Sequence, residues 1–417
     1  MGTTSKPKAF FKVVTPAEAL ETVRQAAPVD AEVVRTTEAR GRVLAEDLYS
    51  QVDLPHFNRA GMDGYAVIAR HTFGASPALP AYLKLAGTVE MGQEATRRLG
   101  VREAVRISTG GMLPPGSDAV VMVEHTEETG DGAVEIYRAA SPWLNVIQVG
   151  DDIRKGEPVF ARGRRLRAHD LGALTGIGIA SVSVYRRPRV TLISTGDEIV
   201  AVDREPRPGQ VRNINQHSLA GLIAECGAEL NDLGVVPDEP APLRAALARG
   251  LDWGDLVLLS GGSSMGTRDM ALEVIRSLPD ARIFFHGISV SPGKPTIYAQ
   301  AAGKPVLGLP GYPVSALVIF DLFAAPLIRA LSGESAPAVH MGRNTLRAVM
   351  DTNVSSQTGR EDYVRVTLER RGDTVYAAPL PSKSGAIFTL VKADGMVCID
   401  LNSEGLEQGE EVEVLLF

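Results

Sequence analysis

The stretch Leu256-Val257-Leu258-Leu259-Ser260-Gly261-Gly262-Ser263-Ser264-Met265-Gly266-Thr267-Arg268-Asp269 decides the fold. A short, unbroken apolar run reads as a strand buried on both faces, and such strands belong to parallel sheets covered by helices. Glycines follow, and then Ala271, Val274, Ile275 and Leu278 repeat at helical spacing. Working outward, residues 190–194 form a second apolar strand. Leu219, Leu222, Ile223 and Cys226 fall at i, i+3, i+4 and i+7, residues 283–285 and 306–309 are further strands, and 314–331 is a closing helix. This alternation over residues 186–336 predicts a central doubly wound α/β domain.

The flanks have a different texture. Thr15-Pro16-Ala17-Glu18 sets a capped helix start with proline in its first turn. From Leu54 the chain turns to short β runs (104–109, 119–125, 135–137) punctuated by glycine turns, and helical pattern returns at 168–177. A first domain interrupted by a β-rich insertion is expected, as 8–53 and 153–185 around 54–152. Residues 337–417 return to β runs (363–368, 374–378, 396–399, 411–416), which predicts a C-terminal β-barrel.

Bulk properties exclude some functions. With 417 residues, 44% hydrophobic and 22% charged, the chain is an ordinary multidomain globular protein. Its net charge of −7 argues against a nucleic-acid binder. Cys226 and Cys398 stand far apart, outside any metal-binding spacing, and are expected as small core residues in a reducing cytoplasm. The start lacks an apolar signal core, and the apolar stretch 306–331 is broken by Pro310, Pro313, Asp321 and Pro326, so no membrane span is expected.

Ligands of open parallel sheets bind outside the carboxyl ends of the strands. Three loops there stand out: Ser194-Thr195-Gly196-Asp197-Glu198, Ser260 to Asp269, and Gly308-Leu309-Pro310-Gly311-Tyr312-Pro313. The middle loop, strand to glycines to helix, suits a phosphate, though it matches neither standard nucleotide motif; its bland reading is a turn with Ser263 or Ser264 as helix cap. Asp197, Glu198 and Asp269 beside it suit a divalent cation, and Asp269 equally suits the helix dipole. Pro292-Gly293-Lys294-Pro295 sets a lysine on a rigid turn, where it suits an oxyanion. Alone, Asp63 in the segment 58–67 reads as a turn residue, and the seven histidines as structural.

Taken together, MDGYAV (62–67), RISTGG (106–111), LISTGDEIV (192–200), SGGSSMG with Asp269, SPGKP (291–295), GLPGYPVSAL (308–317), GREDYVRV (359–366) and KSGAI (383–387) resemble the molybdopterin molybdenumtransferase (MoeA) family, similar to the gephyrin E domain. The resemblance runs in order from about residue 10 to 417. It implies a multidomain α/β plus β protein: a discontinuous first domain, an inserted β-rich domain, a MogA-like pterin-binding domain and a C-terminal barrel. It also implies a homodimer with active sites shared between subunits.

The activity implied is transfer of molybdate to adenylylated molybdopterin with release of AMP, assisted by Mg2+ or another divalent cation. Asp63, Thr109, Glu198 and Asp269 match the catalytic groups, and Asp63, Asp152, Glu198 and Asp269 the metal carboxylates. Gly261, Gly262, Ser263 and Asp238 match the pterin-binding segments. Lys294, with Pro292, Pro310, Pro313, Arg360 and Ser384, matches the anion-binding ones. The implied partners are the pterin, the oxyanion and the molybdopterin adenylyltransferase, with no nucleic acid or membrane.

Three departures from the family pattern bear on the anion. Ser291 stands where Lys or Arg is usual, Gly261-Gly262-Ser263-Ser264-Met265-Gly266 replaces Gly-Gly-Val-Ser-Val-Gly, and Tyr312 replaces Asn. They leave open a tungstate-preferring paralogue, and a non-catalytic pterin-binding scaffold is the alternative of a different class.

Overall fold

A computed structural model of the chain describes residues 13–261, 265–335, 344–381 and 383–417. The side chains of 265–269 fall outside that description, and with them those of Arg268 and Asp269; Gly262, Ser263 and Ser264 lie outside it entirely.

The central sheet has six strands: β1 (Arg189–Thr195), β2 (Glu229–Val236), β3 (Leu256–Gly261), β4 (Arg282–His286), β5 (Ile297–Ala301) and β6 (Lys304–Leu309). Their order is β2-β1-β3-β6-β5-β4. The β2, β1, β3 and β6 neighbours are parallel, whereas β5 runs against both β6 and β4. Ala302 and Gly303 join β5 to β6 with positive φ at both residues, the signature of a tight hairpin turn. Alternation along β3 gives the sheet its two covered faces. Leu256 and Leu258 pack with Leu219, Ile223, Val314 and Leu327 on one side. Val257 and Leu259 pack with Leu243, Leu247, Leu272 and Ile275 on the other.

The N-terminal helix Pro16–Arg24 starts as expected: Thr15 and Glu18 form a reciprocal capping box. Its Ala19 and Val23 are buried in the first of those faces. The chain then pairs Ala31–Arg35 with Ser181–Tyr185, and Leu48–Tyr49 with Pro158–Phe160, from either side of the insertion. It leaves and returns side by side, for Leu54 bridges Ile153 and donates its N–H to the Ile153 carbonyl at 2.8 Å. The insertion carries a six-stranded sheet with small clusters on both faces, one around Tyr65 and Val67 and one around Ala66 and Ile107.

At the C-terminus, Glu361–Arg371, Thr374–Pro379, Thr345–Met350, Glu411–Leu416 and Gly395–Ile399 pair in a ring that closes on itself. Val366, Ala377, Val397 and Val414 fill its interior.

The strand read at 283–285 is β4, which ends at His286; Gly287 takes a φ of +121°, and Val290–Ser291 pairs with Glu361 and Asp362 of the barrel. Two expectations need correction. Cys226 does pack against the core, but Cys398 is exposed, because it sits on the barrel's outer face. The apolar stretch does form one helix long and apolar enough to cross a membrane, Pro313–Leu331, in spite of its prolines. Pro313 and Pro326 fall where short helical segments begin, around a π-turn at Phe320–Ala324. That helix is core material: 78% of its most apolar window is buried inside the protein.

Candidate functional site

The strand ends of the central sheet form a crevice. Thr195 and Gly261 are register partners, and Gly261 takes a φ of +133°. A methyl at Gly261 would meet the Thr195 carbonyl oxygen at 2.1 Å, so the residue must be glycine for the strand ends to close. Asn215, in the first turn of the helix Ile214–Glu225, ties the other loops together. Its Nδ2 donates to Ser260 Oγ and to the Gly311 carbonyl, both at 2.9 Å. The sequence reading missed Asn215, whose partners lie 45 and 96 residues away.

Polar atoms in this crevice are left over. Ser194 Oγ, Asn215 Oδ1 and Asp238 Oδ1 are buried without hydrogen-bond partners among the described residues. Buried polar atoms cost free energy unless satisfied, so three of them around one set of strand ends is the character of a site that awaits a ligand. The Asp238 N–H donates to Asp197 Oδ1 at 3.2 Å, which brings two acids together, with exposed Glu198 next in the chain. The Asp269 backbone lies in the helix Met265–Arg276, on the far side of the glycine loop.

Asp63 and Thr109 meet in the inserted sheet for a reason of register. Gly64 pairs with Ile107 in antiparallel strands, so Asp63 and Thr109 emerge together at the same end. Asp63 Oδ1 accepts from the Thr109 N–H at 2.6 Å and from its Oγ1 at 2.9 Å. These two donors, the backbone one first, hold the Asp63 carboxyl below its ordinary value. Asp152 is exposed beside the Leu54–Ile153 bridge, where its N–H donates to the Leu54 carbonyl. Within one chain, no hydrogen bond or ion pair among the described residues links Asp63, Thr109 or Asp152 to Glu198 or Asp238. Nor do any three His, Cys, Asp or Glu of the described residues gather closely enough to hold a metal ion.

The anion candidates, by contrast, converge. A cleft of about 600 Å³ at the seam between central unit and barrel is lined by Pro292, Lys294, Pro310, Arg360 and Ser384, with Ser291 and Tyr312. Pro313 instead starts the helix behind it. Val290–Ser291 fixes one wall by joining the barrel sheet. Arg360 is partly spent, since its Nη2 and Nε lie 3.1 and 3.3 Å from Asp362 Oδ2. Lys294 is exposed and makes no ion pair among the described residues, so it is the free positive charge there. With Ser291 in the wall, hydroxyl groups supply most of the remaining donors.

A polar crevice at the strand ends, a hydroxyl-rich cleft against the barrel and a carboxylate on a separate β domain give the architecture of a multidomain enzyme. Residues 14–178 match the MoeA N-terminal region (domain I and II), 191–330 a probable molybdopterin binding domain, and 347–417 the MoeA C-terminal region (domain IV). The molybdopterin molybdenumtransferase of Haemophilus influenzae is 31% identical, over 93% of this chain and 94% of its own. That of Staphylococcus epidermidis is 30% identical, over 92% and 90%. A crystal structure of the molybdopterin biosynthesis MoeA protein from Pyrococcus horikoshii is 41% identical, with a TM-score of 0.81 over 97% of this chain and 99% of that one. The chain belongs to the MoeA family.

Proposed function

We propose that this protein is a molybdenum insertase, transferring molybdate to adenylylated molybdopterin with release of AMP. The observation that carries the reading is the placement of two unlike anion sites near one another in the fold. A strand-end crevice with three orphaned polar atoms suits a phosphorylated pterin, and the cleft with Lys294, Arg360 and Ser384 suits a tetrahedral oxyanion. The loop 308–313 touches both, because Gly311 binds Asn215 and Tyr312 lines the cleft.

In this reading Gly261 and the loop after it hold the terminal phosphate, while Asp197 and Glu198 after β1, Asp238 after β2 and Asp269 after the glycine loop in the chain supply the carboxylates. The unpartnered Asp238 Oδ1 fits a cation such as Mg2+, which supplies neutralisation of the pyrophosphate charge. Lys294 and Ser384 orient molybdate, and most of the catalysis is positioning and charge balance. Asp63 and Asp152, apart from this crevice in their own chain, reach it from a second subunit, which makes the working form a homodimer. The division of the chain at 54, 152, 186 and 337 belongs to the same reading, supported by the paired departure and return at Leu54 and Ile153. So do a cytoplasmic location and contact with the adenylyltransferase that supplies the substrate.

The test is AMP release by the purified protein from adenylylated molybdopterin with molybdate, with tungstate and with neither. Release that depends on molybdate is expected. Tight pterin binding with no AMP under any condition would leave a binding scaffold instead.

A further inference from the structure

Arg365 is the largest fully buried side chain described, at 2% exposure. No carboxylate pairs with it among the described residues, and its Nε has no hydrogen-bond partner. A guanidinium stays charged in proteins, and burying a charge without a counter-charge is unfavourable. If the position served only to fill space, an apolar side chain would serve it better.

Its direction shows what it serves instead. Along Glu361–Arg371 side chains alternate, and Val364 and Val366 pack into the barrel interior. Tyr363 and Arg365 therefore point outward. Tyr363 and Met396, the cross-strand partner of Arg365, belong to the apolar cluster of the central sheet, so Arg365 lies in the seam between barrel and sheet. There its Nη2 donates to the Pro381 carbonyl at 3.1 Å, and its own carbonyl accepts from the Leu380 N–H at 2.8 Å. Three residues beyond Pro381, Ser384 lines the anion cleft. The Ser384 carbonyl accepts from Val314 N–H at 3.1 Å, and a methyl built on Gly385 would lie 3.6 Å from the Tyr312 ring. The segment carrying Ser384 is thus tied to the central unit on one side and to Arg365 on the other.

We propose that Arg365 is a positioning residue, which holds Pro381 so that Ser384, three residues further on, stays in the wall of the anion cleft. The proposal rests on reading that cleft as an oxyanion site. Arg365 never touches the anion; it acts through the Pro381 carbonyl.

The experiment compares the full-length wild type with Arg365→Met and Arg365→Lys. Arg365→Met fills the same seam with an apolar stem, so Tm is expected to stay or rise. Molybdate affinity by calorimetric titration should fall about tenfold, with pterin affinity unchanged. Hydrogen exchange at the Val314 and Ala386 amides, whose acceptors lie in this segment, should quicken. Arg365→Lys keeps a donor and should fall between the two; it carries the comparison if the Met protein does not fold. Wild-type molybdate affinity in the Met protein, or unchanged exchange at those amides, overturns the proposal. So does a lower Tm with anion and pterin weakened alike, which marks a purely structural residue. Absence of molybdate binding in the wild type itself overturns the reading of the cleft, and the amide exchange then decides the positioning role alone.

Discussion

At the residue scale, the Asp63–Thr109 pair has a definite pH behaviour. Both Thr109 donors favour the charged carboxylate, so the folded-state value lies below the ordinary one near 3.9. The link is complete above that ordinary value and is lost only as pH falls through the lower folded one. Thr109→Val removes the hydroxyl donor and keeps the N–H, so the Asp63 titration should move up, part of the way back. An NMR titration of the Asp63 carboxyl measures this directly, and a midpoint identical to wild type would show that the hydroxyl does nothing. Part of this scale was legible in the sequence: Lys294 stands out on its rigid turn, whereas Arg360 and Ser384 were marked only by the family resemblance, and the three do share a cleft. Asn215 was not legible. An asparagine early in a helix looks like many others, and only the folded chain brings Ser260 and Gly311 to it.

At the scale of elements, the critical position is where β1 and β3 end side by side. Gly261→Ala would place a methyl 2.1 Å from the Thr195 carbonyl and force an L residue to a φ of +133°. Strain of this kind costs about 1–3 kcal/mol before any clash is counted. Denaturant unfolding should therefore show at least that loss, together with weakened pterin binding. An alanine variant as stable as wild type would mean the strand ends are slack. The strands β1, β3 and β6 were readable because each has an apolar centre buried on both faces. β2 was mostly missed: Glu229-Leu230-Asn231-Asp232-Leu233-Gly234-Val235-Val236 sits at the sheet edge, where polar residues meet solvent. β5 was missed too, since Ile297-Tyr298-Ala299-Gln300-Ala301 is short and reversed, and its place depends on the hairpin at Ala302-Gly303.

At the scale of the whole molecule, the separation of Asp63 from the crevice within one chain makes a shared site testable. Asp63→Asn and Glu198→Gln, each inactive alone, are mixed and co-refolded. If Asp63 serves the partner's crevice, a mixed dimer has one doubly damaged site and one intact site. About half the dimers are mixed, so roughly a quarter of wild-type AMP release should return. If each subunit is self-sufficient, no site is intact and nothing returns; mixed dimers with no recovery would end the shared-site reading. The two-faced sheet could be foreseen from unbroken apolar runs between helices and the barrel from short β runs, but which units face one another could not, because that depends on surfaces assembled from distant segments.

The helix Pro313–Leu331 also sets an order of events during synthesis. A segment this apolar, with a mean hydropathy of 1.9, would be a hazard on an emerging chain if it had to wait for its covering. Most of its covering is made first. Ala19 and Val23, then Val190, Leu192, Leu219, Ile223, Leu256 and Leu258, all precede it, and only Tyr363 and Met396 of the buried cluster come later. Domains tend to form in the order the ribosome delivers them. This apolar helix therefore emerges after most of the residues that will cover it, and the barrel arrives last to seal it.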